Sequence, residues 1–308
     1  MTDTLPFWIA LANVPGVGPV SFRALCKRFG DPAGVFAASE TELRTMQGLR
    51  EESVAALLDG ERLLRAARDT ASTLADNGVT VLTCDDDAYA RSLSDLPDPP
   101  PLLYLRGSLP RPDERTFSIS GSATPSEQAV GIARAVGSGL ARAGWTVVSG
   151  YAHGVDTAAH LGALEQGGRT VMALPMGILT FALRPEFKRF GKQLGREMVL
   201  VSECAPDEEW SPRGAVRRDR VIAALGQGLL AVEARPAGGT MITFKHALKL
   251  GRPTYVVKYR TPPPGAAGNE IAIRAGGLPV ESLGVFQRII EGAELPRSVP
   301  RTEQGELF

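Results

Sequence analysis

The chain has 308 residues, 44% of them hydrophobic and 22% charged, a composition that buries a sizeable core and a length that predicts more than one domain. Its 34 basic and 34 acidic residues cancel, so no bulk positive field is present and any nucleic-acid contact has to come from a local patch. Three widely separated cysteines, Cys26, Cys84 and Cys204, exclude a disulfide framework and a zinc ribbon. With no basic signal segment and no apolar run of roughly 20 residues, they predict a reducing, cytoplasmic address away from membranes.

Residues 5–75 read as short helices, with apolar residues recurring at three- and four-residue spacing in Phe7-Trp8-Ala10-Leu11, Phe22-Leu25-Phe29 and Val54-Leu57-Leu58. The turn Val14-Pro15-Gly16-Val17-Gly18-Pro19 resembles a helix-hairpin-helix, whose glycines let backbone amides approach a DNA phosphate; the same turn also serves plain helix packing. A second candidate, Met46-Gln47-Gly48-Leu49-Arg50, lacks the second glycine.

From about residue 78 the texture changes. Val79–Leu82 is a strand candidate, and a proline-rich loop over 94–101 leads into a second at Leu102–Leu105. Further strands are predicted at Phe117–Ser120, Trp145–Ser149, Thr170–Leu174, Met198–Ser202, Gly228–Glu233 and Pro253–Val257. Helices are predicted at Glu127–Ala143, Asp156–Gln166, Val216–Leu225 and Thr240–Leu250. Apolar strands alternating with amphipathic helices predict an α/β, Rossmann-like, mostly parallel sheet with helices on both faces, preceded by a small all-helical domain. The expected division is residues 1–76 for the helical domain, 77–290 for the sheet domain and 291–308 for a polar tail, with 258–269 as a surface loop.

Three glycine-rich turns follow strands directly: Gly121-Ser122-Ala123; Ser149-Gly150-Tyr151-Ala152-His153-Gly154; and, after Glu233, Gly238-Gly239-Thr240. In a parallel sheet such turns gather on one rim, where free helix amides bind anions, although tight strand-helix turns also use glycine for geometry alone. A P-loop and a G-x-G-x-x-G fingerprint are both absent. Ser149 lacks a nucleophile elbow. His153, Asp156 and His160 are joined by no second carboxylate or cysteine, so neither a metal nor a cofactor is expected.

The segment Val147–His160 with Gly162-Ala163-Leu164 resembles the signature V-V-S-G-x-A-x-G-I-D-x-x-A-H-x-x-A-L of the DprA/Smf family. The match continues in Val201-Ser202-Glu203 with Arg218–Leu225, in Glu233 with Gly238-Gly239-Thr240 and Gly251-Arg252, and in Asp98–Gly107, so that about residues 78–280 are covered. The front end is similar to that family's helix-hairpin-helix or SAM-like domain. The resemblance implies a single-stranded-DNA-binding homodimer that helps load a RecA-type recombinase in transformation or recombination, with no catalytic residues. It places phosphate contacts at Gly121, Ser122, Ser149, Gly150, Ala152, His153, Gly154, Arg218, Arg220, Gly238, Gly239 and Thr240.

Departures from the pattern weaken that site. Ala123 and His153 stand where the family has arginines, Asp219 stands for an asparagine, and too little chain follows for a winged helix. Two other readings therefore stay open. One is a nucleotide sensor, or an N-glycosidic hydrolase using Glu203 and Glu233, on the same rim. The other is a non-catalytic adaptor, because Gln304-Gly-Glu-Leu307-Phe308 resembles the sliding-clamp-binding pentapeptide.

Overall fold

The computed structural model of the chain describes residues 4–292. Six helices form the front end: α1 (Leu5–Ala12), α2 (Pro19–Phe29), α3 (Pro32–Ala37), α4 (Glu40–Arg44), α5 (Glu51–Leu58) and α6 (Gly60–Asp76). Their starts follow local chemistry. Prolines, which lack the N–H that a first turn cannot use, open α1, α2 and α3; the Asp31 side chain caps α3, and Ser39 with Glu42 forms a capping box on α4.

The α1–α2 and α4–α5 connections are equivalent hairpins. Gly16 (φ +77°) and Gly48 (φ +80°) take the left-handed turn position in each. The second hairpin forms without its second glycine because that position is extended backbone, occupied by Gly18 in one (φ −99°, ψ −178°) and Arg50 in the other (φ −81°, ψ 156°), a conformation open to any residue. The two hairpins lean on each other, and the Ser53 hydroxyl donates to the Pro15 carbonyl (2.6 Å).

The remaining elements are β1 (Thr80–Thr83), α7 (Arg91–Ser94), β2 (Leu102–Arg106), β3 (Thr116–Ser120), α8 (Glu127–Arg142), β4 (Thr146–Gly150), α9 (Val155–Glu165) and β5 (Thr170–Ala173). After a 3-10 segment over Pro185–Gln193 come β6 (Met198–Ser202), α10 (Pro212–Leu225), β7 (Leu229–Ala231), α11 (Gly239–Lys249), β8 (Thr254–Val257), α12 (Ala267–Arg274), β9 (Leu278–Val280) and α13 (Leu283–Glu291). The strands make one sheet in the order β1-β2-β6-β5-β4-β3-β7-β8-β9. From β6 to β9 every pair is parallel, and β1 and β2 close one end antiparallel, giving the expected Rossmann-like class.

Both faces are covered, which explains why the central strands read as unbroken apolar runs. Helices α8, α9 and α13 pack over Phe117, Val147, Leu230 and Tyr255 on one face. Helices α7, α10, α11 and α12 cover Val148, Val171, Val199 and Val256 on the other. The front end is the rest of the first cover: Trp8, Leu11, Leu57 and Leu74 share one core with Tyr104, Met172, Met198 and Leu200 of the sheet. The expected division at residue 76 falls between α6 and β1, and apolar packing runs across it.

Two sequence expectations change. Residues 258–269 are not simply a surface loop, because Pro264–Ala266 forms a helical turn and α12 begins at Ala267. The Asn269 side chain is buried, accepts from the Ala234 N–H and donates to the carbonyls of Val232 and Val257, each at 2.8 Å, tying together the ends of β7 and β8. The strand β9 lay outside the predicted set because Pro279 sits in its centre, a residue that only an edge strand accommodates.

Because the two cores are continuous, Leu200→Ala should cost about 2–5 kcal/mol. Scanning calorimetry should show one lowered transition for helices and sheet together; a front end that melts independently at its original temperature would contradict the shared core.

Candidate nucleic-acid interface

The three glycine turns follow β3, β4 and β7, which are neighbours in the sheet, so all three lie on the rim formed by the strands' carboxyl ends. Strand order reverses at β3: chain progression runs to β4, β5 and β6 on one side and to β7, β8 and β9 on the other. The loops after β3 and β7 therefore diverge, and the crevice between them is where open α/β sheets hold ligands.

Most of the glycines are there for packing. A side chain at Gly121 would run into Val155, one at Gly150 would occupy the place of the Arg218 guanidinium, and Gly154 has φ +73° against the carbonyls of Ser122 and Ala123. Ser122 is buried, with its N–H on the Glu233 carbonyl (2.8 Å) and its hydroxyl accepting from the Thr124 N–H (3.1 Å). Ser149 is fully buried and donates to the Ile119 carbonyl (2.6 Å). Ala152 donates its N–H to Asp156 (3.2 Å), and its carbonyl accepts from Thr157 (2.8 Å). These residues build the rim rather than face solvent.

The open positions lie elsewhere. Helix α11 has no side-chain cap, its N-cap Gly238 has φ +147°, and Gly238 and Gly239 are both exposed, with Thr240 beneath them. Its first-turn amides thus point outward with the positive end of an 11-residue helix. Helix α8 is closed instead. Its N-cap Ser126 donates both N–H (3.1 Å) and O–H (2.6 Å) to the Glu233 carboxylate, which stands where an anion would otherwise bind. Glu233 and Glu203 are both buried and engaged, so neither side chain faces the rim as a free acid or base.

Arg218 and Arg220, expected as phosphate contacts, are both buried and paired. Arg218 lies among Asp156 (3.5 Å), Asp219 (3.3 Å) and the Ala173 carbonyl (3.5 Å). Arg220 bonds Glu203 and the Asp98 carbonyl, and its guanidinium also meets the Asp98 carboxylate (3.3 Å), pinning the proline-rich loop to α10. A buried guanidinium that left these carboxylates would strand their charge, so both arginines are structural. Burial pushes the carboxyl of Asp219 up to about 7, outweighing the nearby Arg218, and the charge of Asp156 adds to the rise. Burial likewise raises Glu203 to about 7 against the pull of Arg220 and Arg217.

The histidines separate. His153 is 71% exposed, 3.8 Å from Glu186. His160 is fully buried, its Nε2 2.7 Å from the Gly150 carbonyl and its Nδ1 2.5 Å from Thr170 Oγ1, and burial lowers its pKa to about 4. The ring is a neutral latch holding the strand β4 turn to α9. Among the described residues no group of three or more His, Cys, Asp or Glu side chains could hold a metal ion. Gln304, Leu307 and Phe308 lie outside the described residues.

Two arginines that the sequence left unremarked or read as a solvated face belong to the rim. Arg235, exposed in the loop after β7, crosses the crevice to donate to Thr124 (2.8 Å), the residue next to Ala123. Arg184 stacks over Tyr151 (4.1 Å) and donates to Thr157 (2.9 Å), fastening the loop after β5 to the loop after β4. For Arg235 the available signal was its place within the Glu233–Thr240 turn; its reach across the crevice was not legible.

A family model described as DNA recombination-mediator protein A matches residues 80–289. Protein Smf of Synechocystis sp. is 27% identical over 305 residues, covering 93% of this chain and 76% of that protein. DNA processing protein DprA of Streptococcus pneumoniae is 33% identical over 172 residues, 56% of this chain and 60% of that protein. Among solved structures, DprA from S. pneumoniae superposes with a TM-score of 0.74 at 24% identity, over 94% of this chain and 98% of its own. DNA processing protein A from Helicobacter pylori, a structure described in terms of its single-stranded DNA binding mode, gives 0.58 at 21% identity, over 69% and 95%. At these identities the two structures establish a common fold.

Removing one partner of a buried pair strands the other, so Arg218→Ala should lose about 3–5 kcal/mol of stability by denaturant titration. The carboxyls of Asp219 and Glu203 are raised, so between about pH 4 and pH 7 the folded chain binds more protons than the unfolded chain, and stability falls as pH rises through that window. Asp219→Asn should remove part of the fall and be more stable than the parent above pH 7, on the order of 2 kcal/mol. Identical pH–stability curves for the two proteins would refute the buried-carboxylate assignment.

Proposed function

Because the chain belongs to the DNA recombination-mediator protein A family, we propose that it binds single-stranded DNA through the crevice at which strand order reverses. The observation that carries this is the pairing of an uncapped α11 N-terminus, with Gly238 and Gly239 exposed, and Arg235 reaching over from the same loop to Thr124. Helix amides and one exposed guanidinium suit a phosphate. Arg235 also brings a cation beside Ala123, so the charge missing from the first loop arrives from across the crevice. Arg260, exposed in the loop after β8, and His153, exposed after β4, extend the same rim.

Such a cradle grips backbone and leaves base edges unread. That is what a mediator needs if it passes a strand to a RecA-type recombinase, and we place this chain in that role, as a homodimer in the cytoplasm. Among the described residues no helix is long and apolar enough to cross a membrane. Contact with a sliding clamp through Gln304, Leu307 and Phe308 is a separate proposal, tested by deleting residues 304–308.

The buried Asp219 carboxylate lies beneath Gly239, close to where the phosphate would sit. Its proton therefore couples to binding: an uncharged Asp219 favours the anion.

Fluorescence anisotropy with a labelled oligonucleotide tests the cradle. Affinity should fall with salt, the slope of log K on log salt being about −1.5 to −3 for two to four phosphates. Arg235→Ala should weaken binding about three- to tenfold and shallow the slope by about 0.7. Asp219→Asn should tighten binding at pH 8 and leave it unchanged at pH 6. No affinity for single strands at low salt would end the proposal, and thermal stabilisation by mononucleotides without any strand binding would favour the nucleotide-sensor reading.

A further inference from the structure

Trp210 is 58% exposed, the one tryptophan in the chain that the fold leaves in solvent; Trp8 and Trp145 are 8% and 5% exposed. It stands in the loop after β6, immediately before Ser211, which caps α10. That loop is on the same rim as the cradle, because β6 is parallel to β5 and β4.

The course of α10 sets where Trp210 stands. The helix returns from the carboxyl end of β6 towards the amino end of β7, so it runs against the strands. Its middle lies at rim level, where Arg218 meets Asp156 and Asp219 reaches Gly239. Residues before 218 therefore rise beyond the strand ends, and Gly214 packs against the Pro175 carbonyl just past β5. Arg217 braces this raised half through Glu208 (2.9 Å). Helix α10 begins at Pro212, about 10 Å along its axis before Asp219, and Trp210 lies just beyond that start. It stands at the raised end of α10, on the rim three strands from β3 and within reach of a strand a few nucleotides long.

The charges around it suit a base better than a phosphate. Glu208 is engaged by Arg217, while Arg213, Asp207 and Glu209 are exposed, which leaves the loop without net positive charge. An indole in that setting offers a flat apolar face to the π-face of a base and nothing that holds backbone by charge.

We propose that Trp210 is a base-stacking platform for the strand held at the crevice, and that it supplies preference for single strands over duplex. The inference rests on the strand-binding reading above and adds a residue to it. Helix amides and arginines accept phosphates of either form. A stacking platform needs a base whose face is free, and in a duplex both faces are covered by neighbouring bases.

Since Trp8 and Trp145 are buried, quenching of tryptophan emission by a dissolved strand reports Trp210. Oligothymidylate should quench the full chain, and an abasic strand of equal length should not. By anisotropy, Trp210→Ala should weaken single-strand binding about tenfold and leave duplex binding unchanged, while Trp210→Phe should retain most of the affinity. Binding by anisotropy without quenching, and with unchanged affinity in Trp210→Ala, overturns the platform and leaves the cradle standing. No anisotropy change with any strand removes both. Emission that becomes shielded from acrylamide as free protein is concentrated would place a second copy on Trp210 and also overturn the proposal.

Discussion

The rim depends on one buried guanidinium. Arg218 lies in the space that a side chain at residue 150 would fill, between Asp156 at the start of α9 and Asp219 on α10. It joins the end of β4, the carbonyl end of β5 and two helices on opposite faces of the sheet. Burial raises both carboxyls against the pull of that one cation, and the charge of Asp156 raises Asp219 further, so Asp219 titrates near neutrality. Gly150 follows from the same fact, and the buried, neutral His160 holds the same turn with its Nε2 on the Gly150 carbonyl.

A consequence is that the chain supplies many of its own anions to the places where a parallel sheet would ordinarily offer phosphate sites. Glu233 fills the α8 terminus, and Asp156 takes the Ala152 amide beside α9. What remains open is the α11 terminus with Arg235 across from Thr124. The zero net charge of the chain supplies no bulk positive field, so a small cradle gains from contacts that do not depend on charge. An exposed indole on the same rim is of that kind.

The helical front end belongs to the same economy of burial. Helices α8, α9 and α13 cover one part of the sheet face, and α1 to α6 share with Phe187 and Phe190 the core that covers Tyr104, Met172, Met198 and Leu200. The paired hairpins position those helices through Gly16 and Gly48 and the Ser53–Pro15 bond, so turn geometry far from the rim contributes to the stability of the strands that carry it.

Strands β1 to β8 and helices α8 to α11 were legible in the sequence, because a central strand buried on both faces is apolar throughout and a covering helix is apolar on one side, whereas the four-residue α7 is too short to show a period. The glycine turns and the family motifs were legible for the same reason: close packing at Gly121, Gly150 and Gly154 tolerates no substitute. Which cations are free was decided only by the tertiary structure. Arg220 finds Asp98 and Glu203, Arg218 finds Asp156, and Arg235 finds Thr124, all partners distant along the chain. An arginine's availability is set by desolvation and by the nearest carboxylate, and both are properties of contacts between remote segments, so spacing within a motif cannot distinguish a phosphate ligand from a buried strut.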